Sequence, residues 1–327
     1  MSAPSRGGAL VVEDLEVHFG GGRGLMGPKP VVHAVDGVSF SVPPGRTFGI
    51  VGESGSGKTT TALAIMRLVP ITAGRVRLGD TALSALEGED LRAARRRFQI
   101  VFQDPYSSLD PRKRAGEIVR EPLDLMRIGT RAEREARVAA LFEQVGLRPE
   151  QRALFPHQFS GGQRQRLGLA RALSTEPDLI VCDEPVSALD VAIQAQILNL
   201  MARLQRELGL TYLFISHDLG VVQHICDEIA VMYLGRIVEQ ADRVTLFTNP
   251  KHPYTKALLA AVPMVHGNAR NRRDRLRLKG DPPSPVNLPE GCRFASRCPI
   301  AEARCREAMP PLEEREGGHR VACFLAP

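Results

Sequence analysis

The string Gly52-Glu53-Ser54-Gly55-Ser56-Gly57-Lys58-Thr59 fills every fixed position of the pattern G-x-x-x-x-G-K-[ST]. It constrains the fold because such a loop works only between a strand and a helix. Phe48-Gly49-Ile50-Val51 predicts a short buried strand entering the loop. Lys58 to Leu68 predicts a helix leaving it, with Ala62, Ile65, Met66 and Leu68 among its apolar positions. Glycines at 52, 55 and 57 allow backbone N–H groups to point inward without a side-chain clash. With the helix N-terminus behind them, these groups make a concave anion site. Lys58 is placed to reach the β- and γ-phosphates of a nucleoside triphosphate, and Thr59 to set its hydroxyl on Mg²⁺. A chance lysine after a glycine-rich turn would lack this strand–loop–helix setting.

A second loop, Phe159-Ser160-Gly161-Gly162-Gln163, follows about 110 positions later. An S-G-G-Q loop opening a helix is a candidate second phosphate-binding surface. One loop of each kind in one chain suggests two ATPase subunits that face each other. Leu179-Ile180-Val181-Cys182-Asp183 reads as a strand buried on both faces and ending in a carboxylate. Asp183 is the candidate Mg²⁺ ligand, and Glu184 the candidate base for the attacking water. Gln103, after Ile100-Val101-Phe102, is a candidate sensor of Mg²⁺ and water. His217 follows the strand Tyr212-Leu213-Phe214-Ile215, precedes Asp218 and is a candidate γ-phosphate contact. Each of these residues alone would be ordinary. Their order along the chain is what points to catalysis.

In that order the chain resembles the ATP-binding subunits of ABC transporters, over about residues 9 to 240. The resemblance implies that Gly52 to Thr59 is Walker A, Gln103 the Q-loop and Ser160 to Gln163 the signature loop. It makes Asp183 the Walker B acid, Glu184 the catalytic base, Ser187-Ala188-Leu189-Asp190 the D-loop and His217 the switch histidine. It extends nucleotide contact to Thr60 and gives Phe19 the aromatic position that stacks on adenine, although the glycine-rich stretch Gly20 to Lys29 separates Phe19 from the next strand. In this family ATP is sandwiched between Walker A of one subunit and the signature loop of the other. Phe159 replaces the commoner Leu. Val35-Asp36-Gly37-Val38-Ser39-Phe40, Gln103-Asp104-Pro105-Tyr106-Ser107-Ser108-Leu109-Asp110-Pro111-Arg112 and Asp183-Glu184-Pro185-Val186-Ser187-Ala188-Leu189-Asp190 resemble the dipeptide/oligopeptide importer branch. That branch implies as partners a second, related ABC ATPase in a heterodimer, two transmembrane permease subunits and an extracytoplasmic peptide-binding protein.

The expected fold is α/β: an ABC-type P-loop ATPase domain with a mostly parallel sheet core, an antiparallel β subdomain and an α-helical subdomain, followed by a small Cys-rich C-terminal extension. The ATPase domain is assigned to 9–240, its helical subdomain to about 88–155, and the extension to 241–327. Arg131 to Val145 has apolar residues at helical spacing, at Val138, Leu141, Phe142 and Val145. Asn249-Pro250-Lys251-His252-Pro253-Tyr254-Thr255 resembles the start of the branch's extension, and Pro282, Pro283, Pro285 and Pro289 mark an extended linker.

A chain of 327 residues can bury one large core with an appendage. No apolar run approaches the length that crosses a bilayer, since Leu258 to Val265 is short and broken by Pro263. No signal-type core follows Met1-Ser2-Ala3-Pro4-Ser5-Arg6. The expected location is therefore the cytoplasmic face of the membrane, as a peripheral subunit. The net charge of +6 comes in part from Arg92, Arg95, Arg96 and Arg97 and from Asn271 to Lys279. Such runs are usually solvated faces, and no interleaved aromatics suggest nucleic acid.

Four of six cysteines fall in the last 36 residues: Cys292, Cys298, Cys305 and Cys323. Disulfides are disfavoured in a cytoplasmic chain. Four thiolates can take a zinc ion, with His319 as a further candidate, or a [4Fe–4S] cluster, and the third alternative is four free thiols. The resemblance to the importer branch, whose Cys-rich tail is associated with a [4Fe–4S] cluster in some members, implies the cluster and with it a staple or a redox sensor. Cys182 and Cys226 read as small core residues.

The function expected is ATP hydrolysis that powers import of di- or oligopeptides, with a nickel, sugar or opine cargo as the alternative. A soluble ABC ATPase of DNA repair or of ribosomes is a different class. The repair forms have a long coiled coil between the two loops, and here no sustained heptads intervene. The ribosomal forms usually carry two cassettes in a chain, and here there is one.

Overall fold

The computed structural model describes residues 8–326 apart from 22, 25–26, 29, 105, 262–279 and 281–282. The basic run at 271–279, part of the apolar run at 258–265, and Pro282 lie outside the described residues. The chain forms two compact units that interleave in sequence. One takes the residues up to Leu10, Ser41–Thr47 and Arg77–Ile215; the other takes Val11–Phe40, Phe48–Val76 and Ser216–Pro327.

In the first unit three neighbouring strands run parallel. Phe98–Val101 pairs with Leu179–Asp183, which pairs with Thr211–Ser216; Val101 faces Cys182, and Asp183 faces Ile215. All five residues of Leu179–Asp183 are buried, as expected for a strand covered on both faces. The helix Gly161–Leu173 packs against the strand Phe98–Val101. Arg131–Gln144 is the helix expected from its spacing, and it buries Val138, Leu141 and Phe142. It starts on a capping box in which Thr130 accepts from the Glu133 N–H while Glu133 accepts from Thr130. Gly88–Ala94, Ala115–Leu125 and Val191–Leu208 are further helices of this unit.

The second unit holds the phosphate loop. Thr47–Val51, fully buried, runs parallel to Glu228–Tyr233. Glu228–Tyr233 in turn pairs antiparallel with Arg236–Asp242 through a bulge at Val231/Met232. The short strands Arg320–Val321 and Glu313–Glu314 extend the edge, so the end of the chain joins the same sheet. A separate three-stranded sheet places Leu10–Gly20 between Val31–Val42 and Ala73–Leu78. The expected helix after the loop is shorter than its apolar pattern, ending at Ile65 with Met66 as its cap. Among the described residues no helix is long and apolar enough to cross a membrane.

Candidate functional site

The phosphate loop is made largely of main chain. Gly57 caps the helix Lys58–Ile65 with φ +103°, and a Cβ there would meet the Ala34 carbonyl oxygen at 2.2 Å. A Cβ on Gly52 would meet the Met232 carbonyl oxygen at 2.2 Å. Only glycine fits either place. The Lys58 ammonium is buried and donates to the Gly52 and Glu53 carbonyls, both at 2.8 Å. No acidic residue lies in the first turn of the helix, so its N-terminal dipole faces the loop unopposed by a carboxylate of that turn. Ser54, Gly55 and Thr59 are exposed and Thr60 half-buried, at the same end of the helix. Phe19, at the end of Leu10–Gly20, keeps an exposed ring. His217 is exposed and stands between Ser216 and Asp218, which caps the helix Leu219–Ile225.

The other unit carries the acids and the second loop. Asp183 is buried at its strand's end. Glu184, the next residue, has φ +46°, a left-handed conformation costly for a side chain with a Cβ and typical of functional positions. Its N–H donates to the Ile215 carbonyl at 2.9 Å, which holds the turn. Gln103 Nε2 donates to Glu184 Oε2 at 3.1 Å. Two of the predicted residues, 81 positions apart, thus meet. Ser160 and Gln163 form a reciprocal capping box on the helix Gly161–Leu173: Ser160 N–H donates to Gln163 Oε1 at 2.9 Å, and Gln163 N–H to Ser160 Oγ at 3.4 Å. The S-x-x-Q spacing carries that signal in sequence, which the phosphate reading passed over. Gly162 is buried, and a Cβ there would press on Ile193 Cγ2 at 2.6 Å. Asp190 caps Val191–Leu208, accepting from the Ile193 N–H at 3.0 Å. Sequence reading also missed Arg164, whose guanidinium lies 3.6 Å from the centroid of the Tyr106 ring. That contact joins the Gln103 loop to the helix opened by Ser160.

The cysteine expectation is corrected. Cys292, Cys298, Cys305 and Cys323 line one cavity with Phe294, Phe324 and other apolar groups, but its volume is about 10 Å³, room for about one water and none for a four-iron cluster. No three of their sulfurs lie within 4.8 Å of one another, so a tetrahedral zinc is not framed either. His319 is turned elsewhere, its Nε2 2.7 Å from Glu239 Oε1. Burial, then the neighbouring cysteines, pushes the Cys292 thiol up to about 11. C-x5-C-x6-C-x17-C is no recognised cluster spacing, and the iron–sulfur and zinc readings fall, with the redox sensor. The tail is instead held by an aromatic group, Tyr233, Tyr254 and Phe294, with centroids 4.7–5.4 Å apart. It is also held by the fully buried Glu239, which accepts from the Lys251 and His252 N–H groups at 2.6 and 3.0 Å. A different trio, His18, His33 and Asp36, does bring its donor atoms within 4.8 Å of one another. Asp36 there is already paired with Arg236 and Arg293, and these guanidiniums overcome the effect of burial and hold its carboxyl below the usual range.

Known proteins resemble this chain along most of its length. A family model described as ABC transporter matches residues 35–187, and one described as the C-terminal region of oligopeptide/dipeptide transporters matches 238–305. Among curated relatives, a putative oligopeptide transport ATP-binding protein, YkfD of Bacillus subtilis, is 50% identical over 97% of this chain and 95% of its own. The oligopeptide transport ATP-binding protein AppF of the same organism is 48% identical over 99% of both chains. Among solved structures, the dimeric ATP-binding cassette MJ0796 in a post-hydrolysis state with ADP and Pi is 28% identical with a TM-score of 0.63, covering 72% of this chain and 98% of that one.

Proposed function

Since the chain belongs to the ATP-binding proteins of the oligopeptide/dipeptide ABC transporter family, we propose that it hydrolyses ATP to drive peptide import through a membrane complex. The observation that carries this is the length of the likeness: relatives named for oligopeptide transport match from end to end, the C-terminal region included. The division into an ATPase domain at 9–240 and an extension at 241–327 goes with it.

Individual roles follow from the chemistry of each residue and from its match to the family's motifs. The N–H groups of Gly52 to Thr60, with Lys58, bind the triphosphate, and Phe19 stacks on adenine. Ser160 to Gln163, with Asp190, serve the nucleotide of a facing subunit. Glu184 orients water and accepts its proton; its strained φ and its bond to Gln103 support that role. Lys58 and His217 stabilise charge on the transferred phosphoryl group. Thr59, Gln103 and Asp183 would hold Mg²⁺, which supplies charge neutralisation when bound. The partners are a second, related ATPase, two permease subunits and a peptide-binding receptor, with this chain peripheral on the cytoplasmic face.

The test is ATPase activity of the chain assembled in lipid with permeases and partner ATPase, with and without receptor loaded from a peptide panel. Stimulation by one peptide class is expected. Intact basal hydrolysis that no peptide stimulates would overturn the peptide cargo and leave the ATPase.

A further inference from the structure

The C-terminal extension folds back, within one unit, onto the phosphate loop. Glu53, the first variable position of that loop, is gripped at each of its polar points. Its N–H donates to the Tyr254 hydroxyl at 2.9 Å. Its carboxylate receives both terminal nitrogens of Arg297, at 2.7 and 3.1 Å, as a two-pronged pair. Its carbonyl accepts from the Lys58 ammonium at 2.8 Å. The gripping groups are themselves fixed. Arg297 is 9% exposed and reaches the Tyr233 hydroxyl at 3.4 Å, while Tyr254 is 0% exposed and packs edge-on to Tyr233. The linker joins in: the Pro285 carbonyl accepts from the His33 N–H at 3.1 Å, and Pro283 to Pro285 share a cavity of about 250 Å³ with Glu53 to Ser56.

Glu53 is the sole acid between Gly52 and Thr59. A carboxylate beside a bound triphosphate repels it unless neutralised, and a partly buried pair is weakly screened. Arg297 cancels that charge and fixes the residue whose carbonyl holds Lys58. We propose that Arg297 and Tyr254 are positioning residues through which the extension sets the affinity of the phosphate loop for ATP. This rests on the reading of that loop as the nucleotide site. It gives the extension a task at the ATP site without any metal.

The experiment measures the Kd for ATP of the full chain by calorimetry, with urea unfolding in parallel. Arg297→Met is expected to weaken ATP binding about tenfold. Adding Glu53→Gln to Arg297→Met is expected to bring the Kd back to within about threefold of wild type, because the uncompensated charge is gone. A role in packing alone would not predict that recovery. Tyr254→Phe keeps the ring and removes one acceptor; about a threefold weakening is expected with little change in unfolding. Should Arg297→Met not fold, Arg297→Lys replaces it, keeping charge but losing the fork, with a Kd between the two. Wild-type affinity in the Arg297 and Tyr254 variants, or no recovery in the double variant, overturns the proposal. Lys58→Ala separates the two readings: wild-type ATP affinity in that variant would overturn the nucleotide site itself.

Discussion

Lys58 is buried in a cradle of main chain, while Glu184 stands half-buried at the end of a strand and leans on the side chain of Gln103. The cradle is specified by absence: two positions where a Cβ would strike a carbonyl oxygen at 2.2 Å. The carboxylate is specified by presence, a side chain held in a left-handed backbone that resists it. The first arrangement, on the role proposed for it, would bind phosphate with groups that every residue owns, so its failures are steric. The second, on the role proposed for it, would do chemistry with a single carboxylate, so its failures are chemical. The sharpest break in that contrast is Glu184→Gln, which keeps shape and the partner Gln103 but removes the proposed base. Hydrolysis is expected to fall about 10²- to 10⁴-fold with ATP binding retained. A variant that hydrolyses at the wild-type rate would remove Glu184 from the chemistry. Gly57→Ala attacks the cradle instead. It changes no charge, yet it is expected to cost about 1–3 kcal/mol in urea unfolding from backbone strain, and to lose ATP binding as the loop shifts. Wild-type binding by that variant would mean the loop tolerates a side chain and the steric account is wrong.

The same contrast explains what could be read in the sequence. The cradle was legible because glycine spacing, strand and helix lie within one short stretch, and the helix stops early because Arg67 takes φ +53° and the Leu68 N–H closes back on the Leu63 carbonyl at 2.8 Å. Glu184 was legible in position but not in its strain, since backbone conformation is set by the Ile215 carbonyl, 31 residues on. Glu53, Tyr254 and Arg297 were illegible: they meet across 201 and 244 positions, and no local pattern announces a pair at that distance. The cysteines misled for the opposite reason. Their clustering in sequence is real, but the chain packs them around a space too small for a cluster. Ser160 and Gln163 show that one spacing can say two things, phosphate loop and capping box, and the geometry supplies the second.

The extension's buttress can be probed by pH. Burial, with Lys256 adding to it, pushes the His252 imidazole down to about 3 from 6.5. The folded chain keeps it neutral where the unfolded chain takes up a proton. Stability therefore falls as pH drops below about 6.5, on the order of 1 kcal/mol for each unit. His252→Asn keeps an acceptor for the Tyr254 N–H, now made by His252 Nδ1 at 3.1 Å, and lacks the titration. Urea midpoints at about pH 7 and pH 5.5 should diverge less in the variant than in wild type. Equal pH dependence would mean that other groups carry the acid sensitivity of this region.

The smallest effect is expected at Asp190, and it tests whether the first unit is as dependent on side chains as Glu184 suggests. Asp190 caps the helix Val191–Leu208 through the Ile193 N–H, and it is also proposed to serve a facing subunit's nucleotide. Asp190→Ala removes both roles and is expected to cost about 0.5–2 kcal/mol in unfolding. Asp190→Asn keeps the cap, because asparagine caps as well as aspartate, and removes only the charge. If ATPase activity of the assembled complex falls with Ala and survives with Asn, the residue acts by holding the helix that follows the catalytic loop. If both variants lose activity while Asn unfolds like wild type, the carboxylate itself is used across the subunit boundary. The second outcome would extend the dependence on particular side chains from Glu184 to the end of its loop, and the first would confine it to Glu184 and Gln103.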